Sequence, residues 1–298
     1  MSKYYGEIAA IGTSFCWSFG SIFFTLASRL SGANTVNRIR LLLGMLFLLL
    51  THWVLSGNLI PQNAMHCHWV WFGLSGIIGF AIGDTFLFQG YVLIGPRLTM
   101  LLMSLAPVFG MLLGWLALGE VLTLKDVVGI IVTILGIGIV LYAKKNSDVK
   151  IKSYLRGILC GLAAALCQSL GYFLSKKGLL CNNLQPLAGN LIRVTAGTLF
   201  IWVVALFQGK LIETIQGAKN NNAICLMLAG AFFGPFLGVW LSLVAIQHAY
   251  IGIASTLMAL PPIILIPLSY WIFKERITRT NVIGTLIAIL GVGLIFIK

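Results

Sequence analysis

Charge is scarce in this chain, and negative charge is scarcest: 9% of the 298 residues are charged, with seven Asp and Glu against 20 Lys and Arg. Soluble domains usually carry about a quarter charged residues, so a water-soluble fold is excluded. Only one carboxylate, Asp84, falls in the interior of an apolar run. A membrane-embedded enzyme would need acids, bases or metal ligands clustered at one depth, so an enzyme is not expected. The six cysteines include no CxxC pair, and Cys16, Cys160, Cys167 and Cys225 sit inside apolar runs. They read as small buried hydrophobes. An alternating barrel pattern is missing too. No small-residue cleavage site follows the first apolar run, which is too long for a signal-peptide core and is expected to persist as a helix.

What the chain has is apolar length: 59% of residues are hydrophobic and the mean hydropathy is +0.99. Spans of membrane-crossing length fall near 6–27, 36–55, 70–90, 97–118, 125–143, 155–175, 187–207, 223–246, 252–273 and 280–297. About 20 residues rising 1.5 Å each cross roughly 30 Å of hydrocarbon, and a helix satisfies its own backbone there. The fold class is therefore all-α integral membrane with ten transmembrane helices. The formal charge of +13 would suggest nucleic acid in a soluble protein. Here the cations fall between spans, where they anchor loops at the lipid surface, so nucleic acid is not an expected partner.

The chain reads as one unit written twice. At an offset of 155, Pro107 answers Pro262, Glu120 answers Glu275, Thr123 answers Thr278, Gly129 answers Gly284, and Gly136 and Gly138 answer Gly291 and Gly293. Gly79 and Gly83 answer Gly234 and Gly238 at the same offset. Earlier, Phe15-Cys-Trp-Ser-Phe-Gly20 matches Leu166-Cys-Gln-Ser-Leu-Gly171, and Asn37 and Arg40 match Asn190 and Arg193. The expected units are a five-helix repeat over 1–143, a basic linker over 144–154 and a second repeat over 155–298. Five is odd, so the copies must enter the membrane from opposite faces. Inverted repeats of this kind typify secondary transporters, whose site lies between the halves near the midplane. The glycine pairs are expected to let helices approach closely. Pro107 and Pro262 should break spans 4 and 9 and line a cavity or simply bend the helix.

Ile94-Gly-Pro-Arg97, Leu102-Met-Ser-Leu-Ala-Pro107-Val-Phe, Leu116-Ala-Leu-Gly-Glu120, Ala254-Ser-Thr256, Pro262 and Lys274-Glu275 together resemble the EamA family of the drug/metabolite transporter superfamily. The resemblance covers almost the whole chain. It implies a multipass solute carrier, often an exporter of amino acids or related metabolites, with a central cavity between the halves. One departure matters. Related four-helix exporters carry the coupling proton on a glutamate in the middle of the first helix, where this chain has Phe15-Cys16-Trp17, with Glu7 at the helix entrance.

Asp84 is the sharpest site candidate. An ionised side chain at that depth costs at least about 2.5–3.5 kcal/mol, so it must face a wet cavity, pair with a cation or hold a proton. Proton coupling through it is one reading and a structural aspartate the other. Its counterpart is Val239, so any role is asymmetric. Arg40 and Arg193 occupy equivalent places about one turn into spans 2 and 7, near opposite faces. Each either snorkels to the headgroups or binds a substrate carboxylate through its fork. Trp17 and Gln168 are repeat equivalents, and with Gln89, Tyr172, Asn190, Trp240, Gln247 and His248 they are polar or amphipathic groups that could line a cavity or merely pack. Glu120 and Glu275 read as helix-end residues, and Thr123-Leu-Lys-Asp126 as a capping box. His66-Cys67-His68 lacks a further ligand, so no metal and no cofactor are expected.

The expectation is a carrier in the cell membrane moving a small polar or amphipathic, amino-acid-like metabolite outward by alternating access. The rivals are a membrane enzyme and a channel; no charged ring or filter-like loop favours the latter. A monomer is sufficient, and nothing in the sequence sets the oligomeric state. Of the 20 cations, Lys3, Lys125, Lys176, Lys177, Arg193 and Lys298 fall on the N-terminal face and the other fourteen on the opposite one. Charge therefore favours both termini outside, whereas the resemblance implies both inside.

Overall fold

The computed structural model describes residues 4–118, 123–145, 151–181, 184–248, 257–275 and 277–296. Glu120, Ala254-Ser-Thr256 and much of the basic linker lie outside them. Among the described residues the protein is helical, with no strands. Its helices are α1 Tyr5–Ser31, α2 Ala33–Ser56, α3 His66–Gly76, α4 Asp84–Ile94, α5 Pro96–Met103, α6 Ala106–Leu118, α7 Leu124–Lys145, α8 Ile151–Cys181, α9 Pro186–Phe207, α10 Leu211–Ala218, α11 Asn221–Ala231, α12 Val239–His248, α13 Pro261–Phe273 and α14 Arg279–Phe296. Two π-helical segments, Ile77–Gly83 and Phe232–Gly238, join α3 to α4 and α11 to α12. Eight of the resulting spans among the described residues are long and apolar enough to cross a membrane, and α13 and α14 are shorter apolar helices.

Local chemistry sets many boundaries. Proline opens α5, α9 and α13, where a missing N–H costs nothing. Asn220 caps α11 by accepting from the Asn222 and Ala223 amides at 3.1 and 3.2 Å. Thr123 and Asp126 form the reciprocal box at the start of α7, with Thr123 N donating to Asp126 at 2.9 Å and Asp126 N donating to Thr123 at 3.3 Å. His68 Nδ1 accepts from the Met65 amide at 2.9 Å, so it caps α3. Gly95 turns the chain between α4 and α5 at φ 85°, which L side chains rarely adopt.

Spans 4 and 9 are each interrupted just before the repeated proline. A two-residue break at Ser104-Leu105 precedes α6, and Pro107 is that helix's second residue. Pro262 is likewise the second residue of α13, after a break at Ala259-Leu260. The prolines thus begin new helices, where they leave no carbonyl orphaned.

Contacts between the halves come in reciprocal pairs. A methyl on Gly20 would lie 3.4 Å from Gly234 Cα, and one on Gly171 would lie 3.3 Å from Gly79 Cα. Gly44 faces Pro235, while Gly197 faces Gly76 and Phe80. Gly129 packs on the Gly291 carbonyl and Gly136 on the Gly284 carbonyl. α1 accordingly packs on α11 and α12, and α8 on α3 and α4. Small residues let these backbones meet, as van der Waals packing in lipid requires.

One of these seams yields a controlled comparison. A methyl at Gly136 would run into the Ala288 backbone on α14, whereas at Gly138 it meets nothing within 4 Å. Backbone cannot rotate away, so Gly136→Ala should lower stability by about 1–3 kcal/mol. Gly138→Ala should be neutral or gain up to about 1 kcal/mol of helix propensity. Thermal unfolding of both proteins in one detergent checks this; equal melting temperatures would refute the packing role.

Candidate functional site

The first π-helical segment is the platform of the site. Its widened turns leave carbonyls without regular helical donors, a feature common at functional positions. Asn37 on α2 supplies donors: its Nδ2 reaches Phe80 O at 3.2 Å, Ala81 O at 3.3 Å and Thr85 Oγ1 at 3.0 Å. Its Oδ1 in turn accepts from Arg40 Nη2 at 3.3 Å. Asp84 stands where the π segment returns to α-helix, and Arg40 Nη2 pairs with its Oδ2.

Arg40 does not snorkel. α2 begins at Ala33, so Arg40 lies seven residues inside it, two turns rather than one. It is 6% exposed and Asp84 8%. The guanidinium also lies over the rings of Phe24 and Phe88, at 5.5 and 5.1 Å. The chain itself therefore supplies the cation with partners. Asp84 is paired with that cation.

Arg193 sits seven residues into α9, the equivalent depth, but its surroundings differ. The position equivalent to Asp84 is Val239, so no acid awaits it. Its guanidinium lies 4.6 Å from the centre of the Phe80 ring and 5.8 Å from that of Tyr172. Nε and Nη2 are buried without hydrogen-bond partners. A desolvated cation–π contact contributes about 2 kcal/mol, against a desolvation penalty of several kcal/mol per ion. Asp84 acts electrostatically on both arginines. They therefore converge on one region instead of working at opposite faces.

Gln168 and Tyr172 come from α8. Gln168 Nε2 donates to the Tyr172 hydroxyl at 2.9 Å, and Gln168 Oε1 is buried with no partner. That oxygen and Arg193 Nη2 both face bare Gly79, lying 3.7 and 3.8 Å from where a Cβ would be. Tyr172 is 48% exposed although it lies against these groups.

The remaining candidates scatter. Trp17 packs its indole against Gly238, 2.7 Å from where a Cβ would sit. Asn190 is buried with both amide atoms unpartnered, beside a void of about 10 Å³ that Val239 and Trp240 also line. This is room for about one water. Gln89 is half-buried on α4. His248 is exposed at the end of α12, its ring 5.2 Å from Tyr5. The Gln247 side chain lies outside the described residues.

Three features escaped the sequence reading. Asn37 was visible only as a repeat match, because no pattern announces a donor to a π-helical carbonyl. A groove of about 230 Å³ between α2, α4 and α9 is lined by Asn34, Arg38, Thr85 and Gln208. The third is Glu275, which is more than a helix-end residue. It pairs with Arg97 across the halves at 3.3 Å, and Arg97 is 1% exposed. The unusual Arg97 at the start of an apolar span was the available signal. Among the described residues no group of three or more His, Cys, Asp or Glu could hold a metal.

The chain is 26% identical over 227 residues to an uncharacterized transporter of Archaeoglobus fulgidus, covering 75% of this chain and 76% of that one. A solved crystal structure, described only as that of a protein, shares the fold with a TM-score of 0.64 at 16% identity, covering 98% of both chains. The model of the EamA-like transporter family matches twice, over residues 4–142 and 155–297. Together these matches span nearly all of a helical, multi-span membrane protein, and the chain belongs to the EamA-like transporter family.

Proposed function

We propose that this membrane transporter is a ten-helix carrier made of two inverted five-helix repeats, 1–143 and 155–298. It moves a small polar or amphipathic metabolite, outward, by alternating access between the halves. The reciprocal glycine contacts support the arrangement. In a pseudo-two-fold assembly, if position i of one copy meets j of the other, then j of the first meets i of the second. Gly20 with Gly234 and Gly171 with Gly79 fit that rule.

The observation that carries the transport reading is the polar cluster of Arg40, Asp84, Arg193, Gln168 and Tyr172, drawn from α2, α4, α9 and α8 of both halves, in which the Arg40–Asp84 pair, Arg193 Nε and Nη2 and Gln168 Oε1 are buried while Tyr172 is half-exposed. Polar groups withdrawn from lipid mark a substrate or ion path by default. Asp84 is the carboxylate through which a proton would couple. Arg38, Arg40, Arg97 and Arg193 are turned into the protein and drop out of the charge comparison. The bias of the remaining cations keeps its direction, favouring both termini outside.

Purified protein in liposomes, offered a panel of radiolabelled metabolites, should show saturable flux of at least one. Flux no different from empty liposomes for every solute would overturn the carrier reading.

A further inference from the structure

We infer that Arg193, Gln168 and Tyr172 form a docking site for a small carboxylate bearing a neighbouring O–H or N–H donor. This deepens the carrier reading and rests on it for its physiological meaning, though the binding itself does not.

The two halves pose the same electrostatic problem and solve it differently. In the first, Arg40 finds Asp84, and Asn37 completes the network. In the second, Arg193 has the same depth in its helix, but Val239 replaces the acid. Asp84 is the acid that acts on it, and that carboxylate is already paired with Arg40. The group of two arginines and one aspartate thus keeps one positive charge in excess. Two of the Arg193 nitrogens are buried with no acceptor, and the aromatic rings beside the guanidinium leave those N–H groups unpaired. A buried, unpartnered fork is preorganised for a planar oxyanion, which would take the role inside this half that Asp84 plays in the other.

The neighbouring atoms narrow the ligand. Gln168 Oε1 is an acceptor, buried and unpartnered, and it converges with Arg193 Nη2 over Gly79. A simple carboxylate satisfies the cation and leaves Gln168 bare. A 2-substituted acid, whose hydroxyl or ammonium sits one carbon from the carboxylate, satisfies both. Tyr172 offers a half-exposed ring for the remaining apolar part. Gly79 keeps the space between the two groups clear, since any Cβ there would stand within 4 Å of both.

The test uses the purified full chain in detergent, with lactate, acetate and lactamide as probes, read by titration calorimetry and thermal unfolding. Lactate should bind and raise the melting temperature, and lactamide, its neutral isostere, should do neither. Arg193→Met should weaken lactate binding roughly tenfold to a hundredfold, the range for a charge-assisted hydrogen bond. Ligand-free Arg193→Met should also melt higher than wild type, because a buried cation without a partner has gone. A structural arginine would give the opposite shift, so a variant that melts lower or fails to fold counts against the site. Gln168→Leu should erase the preference for lactate over acetate while keeping acetate binding. Equal lactate binding by wild type and Arg193→Met, or equal binding of lactate and lactamide by wild type, overturns the proposal. Arg193-dependent lactate binding without saturable flux of any solute would uphold the site and sink the carrier. Saturable flux of neutral solutes with no anion binding would do the reverse.

Discussion

Asp84→Leu should destabilise the folded protein by about 3–5 kcal/mol, the cost of leaving one member of a buried ion pair uncompensated. Arg40 would then lie in the core with only Asn37 Oδ1 and two aromatic rings for company. The double variant Arg40→Leu with Asp84→Leu should recover much of that loss, because apolar side chains of similar volume carry no desolvation penalty. The cycle of four proteins, unfolded thermally in one detergent, isolates the coupling. A double variant as unstable as the sum of the two singles would show that the pair does not act as a unit. The milder Asp84→Asn keeps an acceptor for Arg40 and so serves the functional question. If its transport keeps the wild-type pH dependence, Asp84 does not carry a coupled proton.

Breaking Arg97–Glu275 should change which conformation the protein occupies. The pair ties the start of α5 to the chain just beyond α13, residues 178 positions apart. Glu275 also crowds Gly95, with Oε1 2.6 Å from where a Cβ would be, so the turn, the acid and the arginine form one closed contact. In a carrier that opens alternately, a contact joining spans 4 and 9 must part when its end opens. Glu275→Gln removes the charge and should shift the balance toward that open state by about 2 kcal/mol, roughly thirtyfold in population. Leu98 is fully buried here, so Leu98→Cys in a protein otherwise lacking cysteine reports the change. Maleimide labelling should accelerate many-fold in the Glu275→Gln background. An unchanged rate would mean that the pair staples the fold without gating it.

These two ion pairs show how much of the site was legible. Asp84 stood out because a lone carboxylate in an apolar span is expensive wherever it points. Its partner did not, because Arg40 and Arg193 look identical in sequence, at matched positions of matched helices. Glu275 was readable as a repeated residue, but its repeat partner says nothing about Arg97, whose counterpart at that offset is Gly252. Likewise Trp17 and Gln168 are equivalent by position, yet one packs on glycine and the other joins a polar cluster.

By itself, the sequence determined that this is a helical membrane protein with the signature of a duplicated unit. Both follow from properties summed over long stretches: apolar runs measured against hydrocarbon thickness, and identities repeated at one offset. Only the tertiary structure decided that spans 3 and 8 each widen into a π-helical turn, at Ile77–Gly83 and Phe232–Gly238. It alone decided that Arg40 is satisfied and Arg193 is not. Those outcomes depend on which backbone carbonyls lie opposite which side chains, and on where one Asp or one Val sits across a helix interface. Pairing is a property of two elements at once, and no single stretch of sequence contains it.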